Sequence, residues 1–237
     1  MPRLYLPEPL QAGAEFGLPP GPSRHAQVLR LQPGDALTLF NGDGSEWSAE
    51  VLRMGRHEVQ VRVGQRHAVD RELALRVTLA LGMPANERMD TLVEKATELG
   101  VAAIQPLLCE RSVLRLVGER AHRKVEHWRG VAVAASEQCG RTQVPQIAPV
   151  RPLADWLREA ADHAAATRWV LSLRDGPRFD AAACHGPVLF LSGPEGGLSD
   201  AEEGAAQRAG FAPLSLGPRV LRADTAPLAV LAALSLR

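Results

Sequence analysis

The stretch that most limits how this chain can fold is Val188 to Arg237, where two strand–loop–helix units follow one another. Val188-Leu189-Phe190-Leu191-Ser192 is an apolar run of strand length, too short for a helix. Gly193-Pro194-Glu195-Gly196-Gly197 comes directly after it. Its glycines reach backbone angles that other residues avoid, and they remove side chains that would block a ligand. Ser199-Asp200-Ala201-Glu202 is a capping box, with the serine accepting from an early amide and the glutamate returning to the serine N–H. Gly210 is placed to end that helix. Pro213-Leu214-Ser215-Leu216 reads as a second strand and residues 217–225 as a structured loop. Ala226 to Leu236 is predicted as the last helix, capped by Thr225, with Pro227 tolerated in the first turn. Open α/β sheets bind ligands beyond the C-terminal ends of their strands, so two glycine-bearing loops in tandem predict a binding site. Tight turning alone also uses glycine, and a lone GPEGG would favour that reading; two such loops, each leading into a capped helix, shift the balance to a site.

Upstream, residues 1 to about 70 read as a small β-rich unit. Ser23 is predicted to cap a short helix through Arg30 with Val28 and Leu29 inward, and His25 reads as a surface or packing residue. Ala36 to Phe40, Glu46 to Leu52 and His57 to Val63 carry strand patterns, with a hairpin signal at Asn41-Gly42-Asp43-Gly44 and a turn at Gly55-Arg56. Together they resemble a barrel of five or so strands. Gln65 to Glu72 is polar and reads as a linker.

From Leu73 onward strands and helices alternate. Strands are predicted at 75–81, 101–108 and 168–173, and helices at 86–99, 119–139 and 153–163, beside an alanine cluster at 160–166. The helix at 86–99 presents Met89, Leu92, Val93, Ala96 and Leu99 on one face, leaving Lys95 and Glu98 to solvent. Glu137, Gln138 and Arg141 close the long helix just before Val144-Pro145, where helix capping and a functional contact are equally served.

The 237 residues carry 27 basic and 27 acidic side chains, so bulk charge does not argue for a nucleic-acid partner. Its distribution says more. Between Cys109 and Arg141 seven basic residues (Arg111, Arg115, Arg120, Arg123, Lys124, Arg129, Arg141) face four glutamates, whereas the first 71 residues balance eight against eight. Arginine grips phosphate in a forked geometry, which makes this segment a candidate RNA contact. Cys109, Cys139 and Cys184 are too far apart for a CxxC metal site and odd in number, and each is expected to pack as a small hydrophobe. The charge and apolar patterns predict a cytoplasmic protein with no membrane span and no metal. Neither glycine loop carries the Lys-Ser/Thr of a P-loop, which argues against a nucleotide-phosphate enzyme.

The pairing of Gly193-Pro194-Glu195-Gly196-Gly197, Ser199 and Glu202 with Leu216-Gly217-Pro218-Arg219-Val220-Leu221-Arg222-Ala223-Asp224-Thr225-Ala226 resembles the signature of the RsmE family. These are SPOUT-superfamily methyltransferases acting on uridine N3 of small-subunit (16S) ribosomal RNA. His25 with Val28-Leu29-Arg30, Lys95 to Val101, Glu110-Arg111-Ser112, and Glu137-Gln138-Cys139-Gly140-Arg141 with Pro145 agree, so the likeness covers the whole chain. Cys139 stands where the family usually has serine, and Ala223-Asp224 where it usually has Thr-Glu or Ala-Glu.

The resemblance implies an α/β fold: a PUA-like RNA-binding barrel over 1–70 and a SPOUT domain over 73–237, whose parallel sheet holds a deep trefoil knot. General topology rules would not lead to such a knot. It also implies a homodimer that binds S-adenosylmethionine and takes ribosomal RNA or the assembled 30S subunit as partner. Carried over by position, cofactor contacts fall on Leu171, Ser172, Gly193, Glu195, Gly196, Leu216, Gly217, Val220, Leu221, Arg222 and Ala226. Arg222 and Arg141 are the candidates for orienting the uridine, and Glu195 or Glu137 for accepting its proton. A non-catalytic RNA-binding assembly factor is the alternative.

Overall fold

The computed structural model describes residues 1–237 apart from His57, Asn86, residues 161–166 and Asp175, and the side chain of Ala160. Two units emerge, Met1–Glu72 with Val133–Val144, and Leu73–Ala132 with Pro145–Arg237. The first is therefore assembled from two stretches of chain.

Its strands are β1 (Arg3–Tyr5), β2 (Glu15–Gly17), β3 (Ala36–Phe40), β4 (Ser45–Met54) and β5 (Val59–Ala68), with helix α1 (Pro20–Val28) between β2 and β3. They form one sheet in the order β1-β3-β4-β5-β2, antiparallel except for β1 against β3. Alternation explains the strands: Val59, Val61 and Val63 point inward and join Leu37, Leu39 and Val51 in a closed apolar core. Each such side chain contributes about 1.5–3 kcal/mol by leaving water.

Three local expectations are corrected. Polar residues through Ala68 belong to β5, because backbone pairing with β4 outweighs their exposure. Ser23 lies inside α1 rather than capping it: buried, it donates to the Leu18 carbonyl at 2.8 Å, and Pro19 holds the N-cap position. Val28 and Leu29 are 72% and 43% exposed, since Ala26 and Leu31 fill the core at that end.

The second unit contains β6 (Val77–Gly82), α2 (Glu87–Glu98), β7 (Ala103–Leu108), α3 (Gly118–Cys139, whose last turns belong to the first unit), β8 (Gln146–Ile147), β9 (Arg151–Pro152) and α4 (Leu153–Ala160). It continues with β10 (Thr167–Leu171), β11 (Val188–Ser192), α5 (Asp200–Arg208), β12 (Ala212–Leu214) and α6 (Thr225–Ser235). The end of the 153–163 helix predicted from sequence lies outside the described residues, as does the alanine cluster.

All strand pairs of this sheet are parallel, in the order β12-β10-β11-β6-β7-β8 with β9 also on β7. Central β11 is buried at every position, as a parallel strand covered on both faces must be. α5 starts with the expected capping box, Ser199 and Glu202 exchanging bonds of 3.2 and 3.0 Å. α6 starts otherwise. Asp224 is its N-cap, without a side-chain bond, and Thr225 is already helical. Among the described residues no helix is long and apolar enough to cross a membrane, and no cluster of His, Cys, Asp or Glu is placed to hold a metal.

Candidate active site

β12, β10 and β11 are neighbours and run the same way, so the chain leaves all three at one end of the sheet. The segments after them, 171–174, 192–198 and 215–223, surround a cavity of about 720 Å³, a size suited to a cofactor. Leu171, Ser172, Gly193, Glu195, Gly196, Leu216, Gly217, Val220, Leu221, Arg222 and Ala226 all line it.

The loop after β11 is tightly built. The Gly197 N–H donates to the Pro194 carbonyl at 2.8 Å, closing the turn. A Cβ on Gly193 would lie 2.7 Å from the Leu198 nitrogen and 2.8 Å from the Gly197 carbonyl carbon, so only glycine fits. Arg111 packs across Gly196 and donates to the Gly196 and Leu198 carbonyls at 3.0 and 3.3 Å. The Glu195 carboxylate accepts the Ala85 N–H through Oε1 at 2.8 Å, with Arg88 at 3.6 Å. Gly82, at the end of β6, allows Pro194 to approach: a Cβ there would meet Pro194 Cδ at 2.5 Å.

The loop after β12 is looser. Gly217 adopts φ +105° and its N–H donates to Ser215 Oγ at 3.2 Å. The Arg222 carbonyl accepts the Thr225 and Ala226 N–H groups at 3.0 Å each, tying the loop's end to α6. Arg219 and Arg222 line the cavity, and their guanidinium groups have no hydrogen-bond or ion-pair partner among the described residues.

Glu137 and Arg141 lie in the first unit. Arg141 is 4% exposed and bonds Glu72, with Nε–Oε2 at 3.0 Å. Glu137 accepts the Tyr5 N–H at 2.9 Å and faces His25 Nδ1 at 3.1 Å. Burial pushes its carboxyl above the usual range, against the lowering pull of Tyr5 and His25. His25 is thus more than a surface residue. With Arg3, which donates to the Gly140 carbonyl at 3.2 Å and the Arg141 carbonyl at 2.9 Å, it fixes residues 133–144 on this unit.

Sequence reading passed over other cavity residues. Arg111 and Arg219 lay inside quoted motifs, but nothing local marks Arg88, Arg174 or Glu203 as lining residues. Glu203 accepts from Ser172 Oγ and sits 3.3 Å from Arg174 Nε. Cys109 is buried, which pushes its thiol up to about 12 and leaves it without thiolate reactivity.

A family model described as an RNA methyltransferase domain matches residues 71–235, and one described as an RNA methyltransferase PUA domain matches residues 23–64. Ribosomal RNA small subunit methyltransferase E from Bacillus subtilis is 32% identical over 218 residues, covering 88% of this chain and 84% of the relative. The chain belongs to the ribosomal RNA small subunit methyltransferase E family. The family member from Synechocystis sp. is 32% identical over 212 residues, covering 87% of this chain and 67% of its own length. The crystal structure of the Neisseria gonorrhoeae member bound to S-adenosyl methionine is 35% identical, with a TM-score of 0.91, covering 100% of this chain and 97% of that one.

Proposed function

We propose that this chain transfers a methyl group from S-adenosylmethionine to N3 of a uridine in small-subunit ribosomal RNA. In this reading it acts in the cytoplasm as a homodimer, on free 16S RNA or the assembled 30S subunit. The observation carrying the reading is the convergence of three strand ends on one cavity whose near wall is bare at Gly193, Gly196 and Gly217. The cavity fits the cofactor in that its first-loop wall carries glycine at 193, 196 and 197 and so offers main-chain N–H and C=O groups there without side chains.

When bound, the cofactor supplies a methyl group already activated on a sulfonium. The chain's own work is then alignment and the handling of one proton. Arg222, unpaired beside the cavity, orients the uridine and steadies the negative charge that grows as N3 loses its proton. Glu195 keeps Oε1 on the Ala85 N–H and receives the proton at Oε2, which has no partner among the described residues. Glu137 and Arg141, bound to Tyr5, His25 and Glu72, act in holding residues 133–144.

α6 is apolar on every face, yet Leu228, Ala229, Ala232 and Ala233 are only half buried. An all-apolar helix is ordinarily covered, and a second copy of the chain is the proposed cover. Sedimentation should give a dimer; a monomer at micromolar concentration rejects that part. The enzymatic test is methyl transfer by purified protein to small-subunit RNA, followed by mapping of the modified base. Binding of S-adenosylmethionine and RNA without transfer would favour the non-catalytic assembly factor instead.

A further inference from the structure

Helix α1 ends on a left-handed arginine, where α2 and α5 end on a left-handed glycine. The Arg30 N–H donates to the Gln27 carbonyl at 2.9 Å and the Leu31 N–H to the Ala26 carbonyl at 3.2 Å, a Schellman motif. α2 and α5 end in the same pair of bonds, from Gly100 and Val101 and from Gly210 and Phe211, each 3.0 Å long. In those two the left-handed position is glycine, at φ +88° and +87°. In α1 it is Arg30 at φ +57°, the one non-glycine residue of positive φ among the described residues. Glycine would hold this turn at lower conformational cost, so what the arginine adds is its side chain.

That side chain is exposed and has no hydrogen-bond or ion-pair partner among the described residues. Arg24, two turns earlier on the helix, is in the same state. Gln27 Nε2 donates to the carbonyls of Gly55 and Arg56 at 2.9 and 3.1 Å, which brings the β4–β5 turn against α1. Arg53 and Arg56 of that hairpin are also exposed and unpaired, with Glu58 the only carboxylate in the turn. Val28 and Leu29 provide an exposed apolar strip between the charges.

We infer that the end of α1 and the β4–β5 turn form an RNA-docking surface of the first unit, on which Arg24, Arg30 and Arg56 grip phosphates of the substrate strand. Val28 and Leu29 take the face of an unstacked base or a ribose. Four unpaired guanidiniums against one carboxylate select a polyanion, and the apolar strip suits single-stranded RNA, whose bases can be splayed onto it. This rests on the proposed methyl transfer to RNA and adds where the substrate is held away from the reacting base.

Full-length Arg30→Gly is the discriminating variant, because binding and stability should move in opposite directions. Relief of the left-handed turn should raise Tm by about 2–4 °C. The KM for small-subunit RNA should rise about tenfold, with kcat at saturating RNA and S-adenosylmethionine affinity unchanged. The salt slope of RNA binding should fall by about 0.7 for Arg30→Gly and by about two for the triple change with Arg24→Ala and Arg56→Ala. A wild-type KM and salt slope in the triple variant would overturn the surface, and so would a lower Tm with unchanged KM in Arg30→Gly. Wild-type protein that methylates no RNA would remove the underlying activity instead, which separates the two failures.

Discussion

The two loops that flank the cavity are made differently. Residues 193–197 are determined by backbone: a closed turn, a glycine with no room for a Cβ, and two arginines and a main-chain amide gripping the loop from outside. Residues 216–223 are held mainly at their ends, while Val220 is 77% exposed and Arg219 and Arg222 reach no partner. A wall that must receive the same cofactor at every turnover gains from rigidity. A wall that must meet a large substrate gains from side chains left available.

The harshest way to break this contrast is Gly193→Val. Its side chain enters the Gly197–Leu198 backbone, so S-adenosylmethionine binding should be lost by calorimetry, with about 1–3 kcal/mol of overpacking cost in urea unfolding. Normal binding would mean that the first loop is not the cofactor wall. Arg222→Ala addresses the second loop: methyl transfer should fall about 10²–10³-fold while cofactor affinity stays within about twofold. Equal losses in both would erase the division of labour between the loops. Gly196→Val is milder, because a Cβ there meets Arg111 Cβ at 3.0 Å and Cδ at 3.4 Å, tight contacts that need Arg111 to give by only a few tenths of an ångström. Cofactor affinity should drop about tenfold as Arg111 leaves the Gly196 carbonyl.

The smallest effect concerns the support of the first loop. α2, the helix that carries Arg88, is tied to α3 by Asp90, whose carboxylate meets Trp128 Nε1 at 2.8 Å, His127 Nε2 at 2.9 Å and Lys124 at 3.3 Å. Burial alone would raise the Asp90 carboxyl, but these partners outweigh it and hold it below its ordinary value of 3.8. A depressed carboxyl stabilises the fold above that value, and the contribution disappears as pH falls through the lower folded value. Urea midpoints of the wild type should therefore decline below about pH 4, and Asp90→Asn should flatten that decline. An identical acid profile in both proteins would assign the loss to other groups.

The contrast also explains what could be read in advance. Val188–Ser192, the capping box at Ser199 and the glycine ending α5 are local signals, and the structure has them where they were expected. Leu171 and Ser172 join the cavity for a non-local reason, the adjacency of β10 to both β11 and β12. Arg88, Arg174 and Glu203 reach it from helices and strand ends with no local pattern to mark them. The predicted inward turn of Val28 and Leu29 failed because periodicity ignores which neighbours already fill the core. The predicted Thr225 cap failed because Asp224 begins the helix one residue earlier. Glu137 and Arg141 are the far-reaching case, since their partners Tyr5 and Glu72 lie 132 and 69 residues away.

That distance constrains inheritance. Because the first unit needs Val133–Val144 as well as Met1–Glu72, it cannot be exchanged between proteins as an uninterrupted N-terminal cassette. A chimaera joined at residue 72 would carry Tyr5, His25 and Glu72 opposite a foreign sequence. Successful swaps should need grafts at both places, and sequence drift at one should be answered by drift at the other.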